Sequence, residues 1–278
     1  MTVELLANES TVTSTDQKLI NYFTEDGLAI IELDNAPANT YSYEMFLQMD
    51  EAILQARMDD SVHVIVVRGK GDKFFSAGAD IAMLQRVTPK FKYFFCLHAN
   101  ETLLRLEHTP KLVIAALNGH TVGGGMEIAL ACDIRIARKD SGRIGLPEVA
   151  LGVLPGTGGT QRLARALPKN KAIELMVEGR TFSFEEAKEW GIVNYIYEGS
   201  PQDYWEQVLD YARQFCPPNK AAKAVGAIKR SVQSGSEIAL GEGLAIEREL
   251  QQQLFQSEDA KVGLAAYSGK NIASFNGR

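Results

Sequence analysis

The chain is poor in the residues that mark several function classes. Its three cysteines, Cys96, Cys132 and Cys216, and its four histidines, His63, His98, His108 and His120, show no metal-ligand spacing, so no metal site is expected. A histidine-based triad has no GxSxG nucleophile turn to support it. The cysteines read as reduced, buried thiols of a cytoplasmic-type compartment rather than a disulfide framework. No apolar stretch approaches the ~18 residues that a membrane span requires. The opening segment MTVELLANESTVTSTDQ has no basic head before an apolar run and contains acids but no arginine, so neither a secretory signal nor a mitochondrial transit peptide is expected. Basic residues are also in deficit. With 29 Lys and Arg against 35 Asp and Glu, the net charge is −6, which argues against broad nucleic-acid affinity.

What remains is a globular composition, 45% hydrophobic and 23% charged over 278 residues, long enough for a substantial core. Residues 1–16 read as a flexible N-terminal extension. Residues 18–24 and 28–33 alternate as two strands around the turn Glu25-Asp26-Gly27. Ser42 caps a helix over Tyr43 to Met58, and Val62 to Val67 is a β-branched run that reads as a buried strand. Residues 90–107 carry helical patterning stopped by Thr109-Pro110, and further helices are expected over 169–178 and 183–190 before a strand from Ile192 to Tyr197. Beyond Ser200 the character changes: 201–214, 219–233, 236–256 and 258–268 all read as helices with no convincing strand. The chain thus divides into an α/β core over 17–200 and a C-terminal helical region over 201–278. The apolar faces of those last helices suit a subunit contact.

Chemistry gathers in three places. In LVIAALNGHTVGGGMEIALACDIRI, from Leu112 to Ile136, an apolar strand and a turn lead into Gly123, Gly124 and Gly125, then a buried helix start carrying one acid, Glu127. Consecutive glycines imply positive φ or close approach of another backbone or a ligand. Ala77-Gly78-Ala79-Asp80 is a second run of small residues before a helical turn. Two sets of N–H groups beside helix starts, aimed at one point, would make an oxyanion hole. Arg143-Ile144-Gly145-Leu146-Pro147-Glu148 places a second acid in the first turn of a short helix. On spacing alone two readings stay open: a catalytic pair, or one acid satisfying a cap and the other dressing a helix turn. Gly156-Thr157-Gly158-Gly159-Thr160-Gln161 fails the dinucleotide fingerprint, because Gln161 stands where a third glycine belongs, and reads as a tight turn before a helix. His120, beside the glycine turn, is either a ligand contact or a structural histidine.

VIAALNGHTVGGGMEIALACDI resembles the crotonase (enoyl-CoA hydratase/isomerase) superfamily. The similarity extends through FFSAGADI before it and through GLPEVALGVLPGTGGTQRL and AKEWGIVNYIY after it, in family order, so it covers nearly everything from residue 18. One residue is extra relative to the family pattern, at Arg138 to Arg143, and is expected to be a loop insertion away from the chemistry. The resemblance implies a crotonase-like spiral of β-β-α units with a C-terminal helical trimerisation region, assembling as a homotrimer or as a hexamer of two trimers. It implies an acyl-CoA thioester as substrate, coenzyme A being part of that substrate and no separate cofactor being needed, with no nucleic-acid or membrane partner. The thioester oxygen would accept from the N–H groups of Ala79 and Gly124, and Glu127 and Glu148 would be the catalytic acids. Family hydratases carry both glutamates, whereas simple double-bond isomerases usually retain the second alone.

Further substrate contacts are implied at Ala77, Gly78, Asp80, Ile81, Gly123 and Met126. Tyr267 and Lys270 match positions that in some relatives reach a neighbouring subunit's CoA. The aromatic helix 82–95, with Phe91, Tyr93, Phe94 and Phe95, is either a lid over an acyl chain or core packing. Two departures matter: Ala36 and Ala82 stand where relatives often have a basic residue, which puts CoA phosphate contacts from those places in doubt. The expected reaction is hydration of a 2-enoyl-CoA to 3-hydroxyacyl-CoA in the cytoplasm. The alternatives are another acyl-CoA reaction (isomerisation, decarboxylation, hydration of a cyclic or branched dienoyl thioester) and a non-catalytic RNA-binding or scaffold trimer.

Overall fold

A hairpin opens the fold. Strands β1 (Ile20–Glu25) and β2 (Leu28–Leu33) pair antiparallel, joined at Asp26 and Gly27, both of which have positive φ, 47° and 82°. That is the turn whose twist matches a two-residue hairpin. The computed structural model describes residues 17–278, and the extension expected over residues 1–16 lies outside the described residues. Helix α1 (Tyr43–Met58) is capped by the Ser42 hydroxyl, which accepts from the Met45 N–H.

Strands β3 (Val64–Gly69), β5 (Leu112–Leu117), β7 (Ile134–Arg138) and β10 (Tyr195–Tyr197) extend the sheet in parallel, in the order β1-β2-β3-β5-β7-β10. A smaller sheet runs β4 (Phe74–Ser76), β6 (His120–Val122), β8 (Arg143–Gly145), β9 (Phe182–Ser183). The chain passes from the large sheet to the small one at β3–β4, β5–β6 and β7–β8, each time before a helical segment. This repeated passage is the expected spiral of β-β-α units.

The large sheet is buried on both faces, which is why β2, β3 and β5 read as continuous apolar runs. Alternation still sorts their side chains. Ala29, Ile31, Ile65, Val67, Val113 and Ala115 join the core with α1 and α3 (Pro89–Glu107). Leu28, Ile30, Val64, Val66, Ile114 and Ala116 face the other way, against Tyr204, Val208 and Leu209 of α8 (Pro201–Arg213). Helix α8 therefore packs with the core, although its sequence groups it with the C-terminal helices. Its strongly amphipathic stripe covers a sheet face that would otherwise be bare.

Three other local readings are revised. Strand β6 is too short to show a periodic signal, and the sequence reading ran straight from the turn into a helix. The expected helix 82–95 is broken: α2 (Ile81–Leu84) ends before Thr88 and Pro89 start α3 afresh. Cys132 and Cys216 are buried and free as expected, but Cys96 is only half buried.

After α4 (Gly124–Leu130) come α5 (Gly159–Ala166), α6 (Lys169–Glu178) and α7 (Phe184–Glu189). Helices α9 (Ala222–Gly235), α10 (Leu240–Phe255) and α11 (Glu258–Ser268) close the chain. A buried ion pair moors α9, with Lys229 Nζ 2.9 Å from Asp133 Oδ2 and also donating to the carbonyls of Leu106 and Lys111. No residue of α10 is buried. Among the described residues no helix is long and apolar enough to cross a membrane.

Candidate active site

The site is assembled where β4, β6 and β8 end. Gly123 leaves β6 with φ 58° and ψ −130°, a backbone that L side chains rarely adopt, and turns the chain into α4. Every residue of α4 is buried. A Cβ on Gly124 would lie 2.1 Å from the Tyr41 hydroxyl oxygen, so only glycine lets that ring approach. The far end of α4 is held by Arg135, whose buried guanidinium donates to the carbonyls of Ala129, Cys132 and Ile192.

The Ala77–Asp80 segment lies against this helix start: a Cβ on Gly78 (φ 90°) would be 3.0 Å from the Gly124 nitrogen. Ala77 donates to the Ala38 carbonyl, Gly78 to the Ser76 hydroxyl, and Asp80 to the Tyr41 carbonyl. Among the described residues the N–H groups of Ala79 and Gly124 have no protein acceptor. The two donors assigned from the sequence thus sit on neighbouring segments and are both available.

The two glutamates occupy different electrostatic settings. Glu127 is 1% exposed, and its Oε1 accepts from the N–H groups of Thr157 and Gly159, both at 2.7 Å. It therefore sits at the N-terminus of α5, where orphan N–H groups and the helix dipole favour negative charge. Burial holds its pKa above the ordinary carboxylate value, and the Gly159 and Thr157 N–H groups, the Thr157 side chain and the Lys92 ammonium offset part of that rise. Glu148 opens a 3₁₀ turn, Glu148–Leu151. Its Oε2 is buried with no hydrogen-bond partner. Burial and, after it, the negative charge of Glu127 push its carboxyl up to about 7. Its Oε1 faces the glycine turn, 3.2 Å from where a Gly123 Cβ would be. Burial thus raises both acids, and only Glu127 has two backbone donors at the N-terminus of α5 to offset it.

Of the remaining sequence candidates, Met126 is fully buried beneath the site and Ile81 is exposed at its edge. The Asp80 side chain is occupied in capping α2, accepting from the Met83 N–H. Tyr267 is exposed in the last turn of α11 and Lys270 is exposed just beyond it. His120 is structural: its Nδ1 accepts from the Arg143 N–H and its ring packs on Phe74. The Arg138–Arg143 insertion forms the β7–β8 turn, with Asp140 at φ 54°. Of the aromatic candidates, Phe95 is core, whereas Tyr93 and Phe94 are exposed.

Sequence reasoning missed Tyr41, Thr157, Gly159 and Arg135. The glycine-rich turn before α5 was visible in the sequence. That it delivers two N–H groups to an acid 30 and 32 positions earlier was not.

A sequence model of the enoyl-CoA hydratase/isomerase family matches residues 24–278. The chain belongs to that family. It is 34% identical over 256 residues to the short-chain-enoyl-CoA hydratase of Clostridium acetobutylicum, covering 91% of this chain and 96% of the relative. It is 31% identical over 273 residues to the mitochondrial methylglutaconyl-CoA hydratase of Mus musculus, covering 96% and 86%. A crystal structure of an enoyl-CoA hydratase from Geobacillus kaustophilus HTA426 superposes with a TM-score of 0.91 at 43% identity, covering 95% of this chain and 98% of that one.

Proposed function

We propose that this family member hydrates a 2-enoyl-CoA thioester to the 3-hydroxyacyl-CoA. The observation that carries the reading is the contrast between the two glutamates: Glu127 Oε1 is held by the N–H groups of Thr157 and Gly159, whereas the buried Oε2 of Glu148 has no hydrogen-bond partner. In this scheme Glu127 takes a proton from water as its oxygen bonds to C3. Negative charge then builds on the thioester oxygen, where the N–H groups of Ala79 and Gly124 receive it. Each such donor typically supplies about 2.7–4 kcal/mol. Glu148 delivers its proton to C2, and the two carboxyl groups exchange protonation states before solvent resets them. Both are required, since hydration moves two protons in one turnover.

The backbone of Ala77, Gly78, Gly123 and Asp80 would line the thioester end, with Met126 and Ile81 flanking the acyl group. The bare apolar side chains of α10 and α11, among them Leu240, Phe255 and Leu264, suit a homotrimer or a pair of trimers. In that assembly Tyr267 and Lys270 would meet a neighbour's CoA. The reading is tested by incubating the protein with crotonyl-CoA and longer 2-enoyl thioesters and following loss of the conjugated-thioester absorbance. Hydration at some chain length is expected; none at any length would transfer the site to another acyl-CoA reaction.

A further inference from the structure

Tyr41 touches three segments of the site: the Gly78–Asp80 loop, the start of α4 and the turn before α5. Its N–H donates to the Gly78 carbonyl at 2.9 Å and its carbonyl accepts from the Asp80 N–H at 3.0 Å, which clamps the loop carrying Ala79. Its ring crosses Gly124 and packs edge-on against Phe46 and Phe95. Its hydroxyl ends 3.1 Å from Thr157 Oγ1. Both residues are buried, at 3% and 2% exposure, so no solvent competes for either hydroxyl. Thr157 is also the residue whose N–H is bonded to Glu127.

We infer that Tyr41 and Thr157 form a buried positioning pair that fixes Glu127 and keeps it ionised for its work on water. The inference rests on the hydratase reading, in which Glu127 is the base. The proton order follows from the chemistry. A threonine hydroxyl has one proton, and beside a carboxylate that proton turns to the negative oxygen. Thr157 Oγ1 then has a free lone pair, and the phenol donates to it. In the inferred order Tyr41 O–H donates to Thr157 Oγ1, 3.1 Å away, which leaves the Thr157 proton for Glu127, a group the Thr157 backbone N–H already holds at 2.7 Å. The Thr157 side chain favours the charged form of Glu127 as this order requires.

Other charged or titratable groups face Glu127 from each neighbouring element. Glu148 on the 3₁₀ turn opposes its ionisation, and Lys92 on α3 favours it. Cys96, also on α3, acts on Tyr41. Arg162 on α5 donates to the Thr157 carbonyl and is neutralised by Glu107. Without the hydroxyl pair, Lys92 and the two backbone N–H groups would be left to offset the burial of the carboxylate.

The test uses the isosteric variants Tyr41→Phe and Thr157→Val, with Thr157→Ser as the conservative control. The Glu127 carboxyl is titrated directly by 13C NMR of glutamate-labelled protein, its signal assigned by loss in Glu127→Gln. Tyr41→Phe and Thr157→Val are expected to raise that titration, and with it the acid limb of kcat/KM, by on the order of one pH unit. The loss should fall on kcat more than on KM, and Thr157→Ser should keep the wild-type profile. An unmoved carboxyl titration in both isosteric variants overturns the pair. Because the NMR titration needs no substrate, it separates the two ideas. A shifted titration in a protein that hydrates nothing keeps the pair and removes the base role, and an unshifted one in an active enzyme does the reverse. If Tyr41→Phe fails to fold, the Thr157 variants decide the question alone.

Discussion

Glu127 Oε1 and the Gly159 N–H meet at 2.7 Å across 32 positions of chain, so the acid at the start of α4 serves as the anchor of α5. This bond makes the two helices one unit and gives the carboxylate a reason to remain charged in an apolar setting. Glu148 opens its own 3₁₀ turn, and its buried Oε2 has no such bond. In the proposed reaction, this difference is what divides the labour between the two acids.

Replacing Glu127 by Gln tests that division. The amide keeps an acceptor oxygen for Thr157 and Gly159 but cannot accept a proton from water. Turnover is expected to fall by about 10²–10⁴-fold, the usual worth of a positioned general base. CoA-ester binding, read by calorimetry, should persist. Unchanged turnover would remove the two-acid scheme.

The Glu148 carboxyl, pushed up to about 7 by burial, predicts opposite pH limbs for the two directions of reaction. Hydration needs the protonated acid, so kcat/KM falls as pH rises through about 7; dehydration needs the ionised form and falls as pH drops below it. The same group affects stability. Because its folded pKa lies above the ordinary value of 4.5, the fold binds its proton more tightly than the unfolded chain does. Its favourable contribution is present at low pH and is lost as pH rises through about 7. Glu148→Gln, a neutral mimic, should therefore melt higher than wild type at pH 8, with the gap narrowing toward pH 5. A variant that melts lower at pH 8 would mean that the ionised carboxylate has a stabilising partner.

Gly124→Ala would place a methyl 2.1 Å from the Tyr41 hydroxyl oxygen. Overpacking of this kind typically costs about 1–3 kcal/mol, and the ring can escape only by leaving Thr157. Chemical denaturation should show the loss of stability, and turnover should fall with it. Wild-type values for both would show that the ring is free to move.

The Lys229–Asp133 pair joins α9 to the start of β5, since Asp133 also accepts from the Val113 N–H. Lys229→Met leaves a carboxylate buried without its cation, a loss that typically costs about 3–5 kcal/mol. Combining it with Asp133→Leu is expected to recover part of this, because the Val113 donor is left unpaired. Denaturant midpoints of the single and double variants measure both effects. A single variant as stable as wild type would mean that α9 is held by its other contacts alone.

Periodicity and turn chemistry were enough to place α1, α3, α6, β2 and the β1–β2 turn, because each signal lies within a dozen or so residues. Strand β6 escaped, since three residues cannot display a period. The α2–α3 break escaped because Thr88-Pro89 reads equally as a loop inside a helix-rich stretch. Helix α8 was legible as a helix, and in the structure it packs on the large sheet. Its stripe showed that it must cover something, and only packing could say that this was the sheet.

For the site the boundary falls in the same place. Read by itself, the sequence showed that the glycine run before Glu127 allows a close approach or positive φ, that Ala77–Asp80 was a second run of small residues before a helical turn, and that Glu148 was a second acid. These are local facts of backbone freedom and residue chemistry. Their joint role came from the family resemblance. The tertiary structure decided what met the glycines, namely Tyr41, and which acid received the N–H groups of α5. It also left Oε2 of the other acid without a partner. Such choices depend on contacts between residues 30 to 116 positions apart, and no local pattern encodes which distant group will fill a given space.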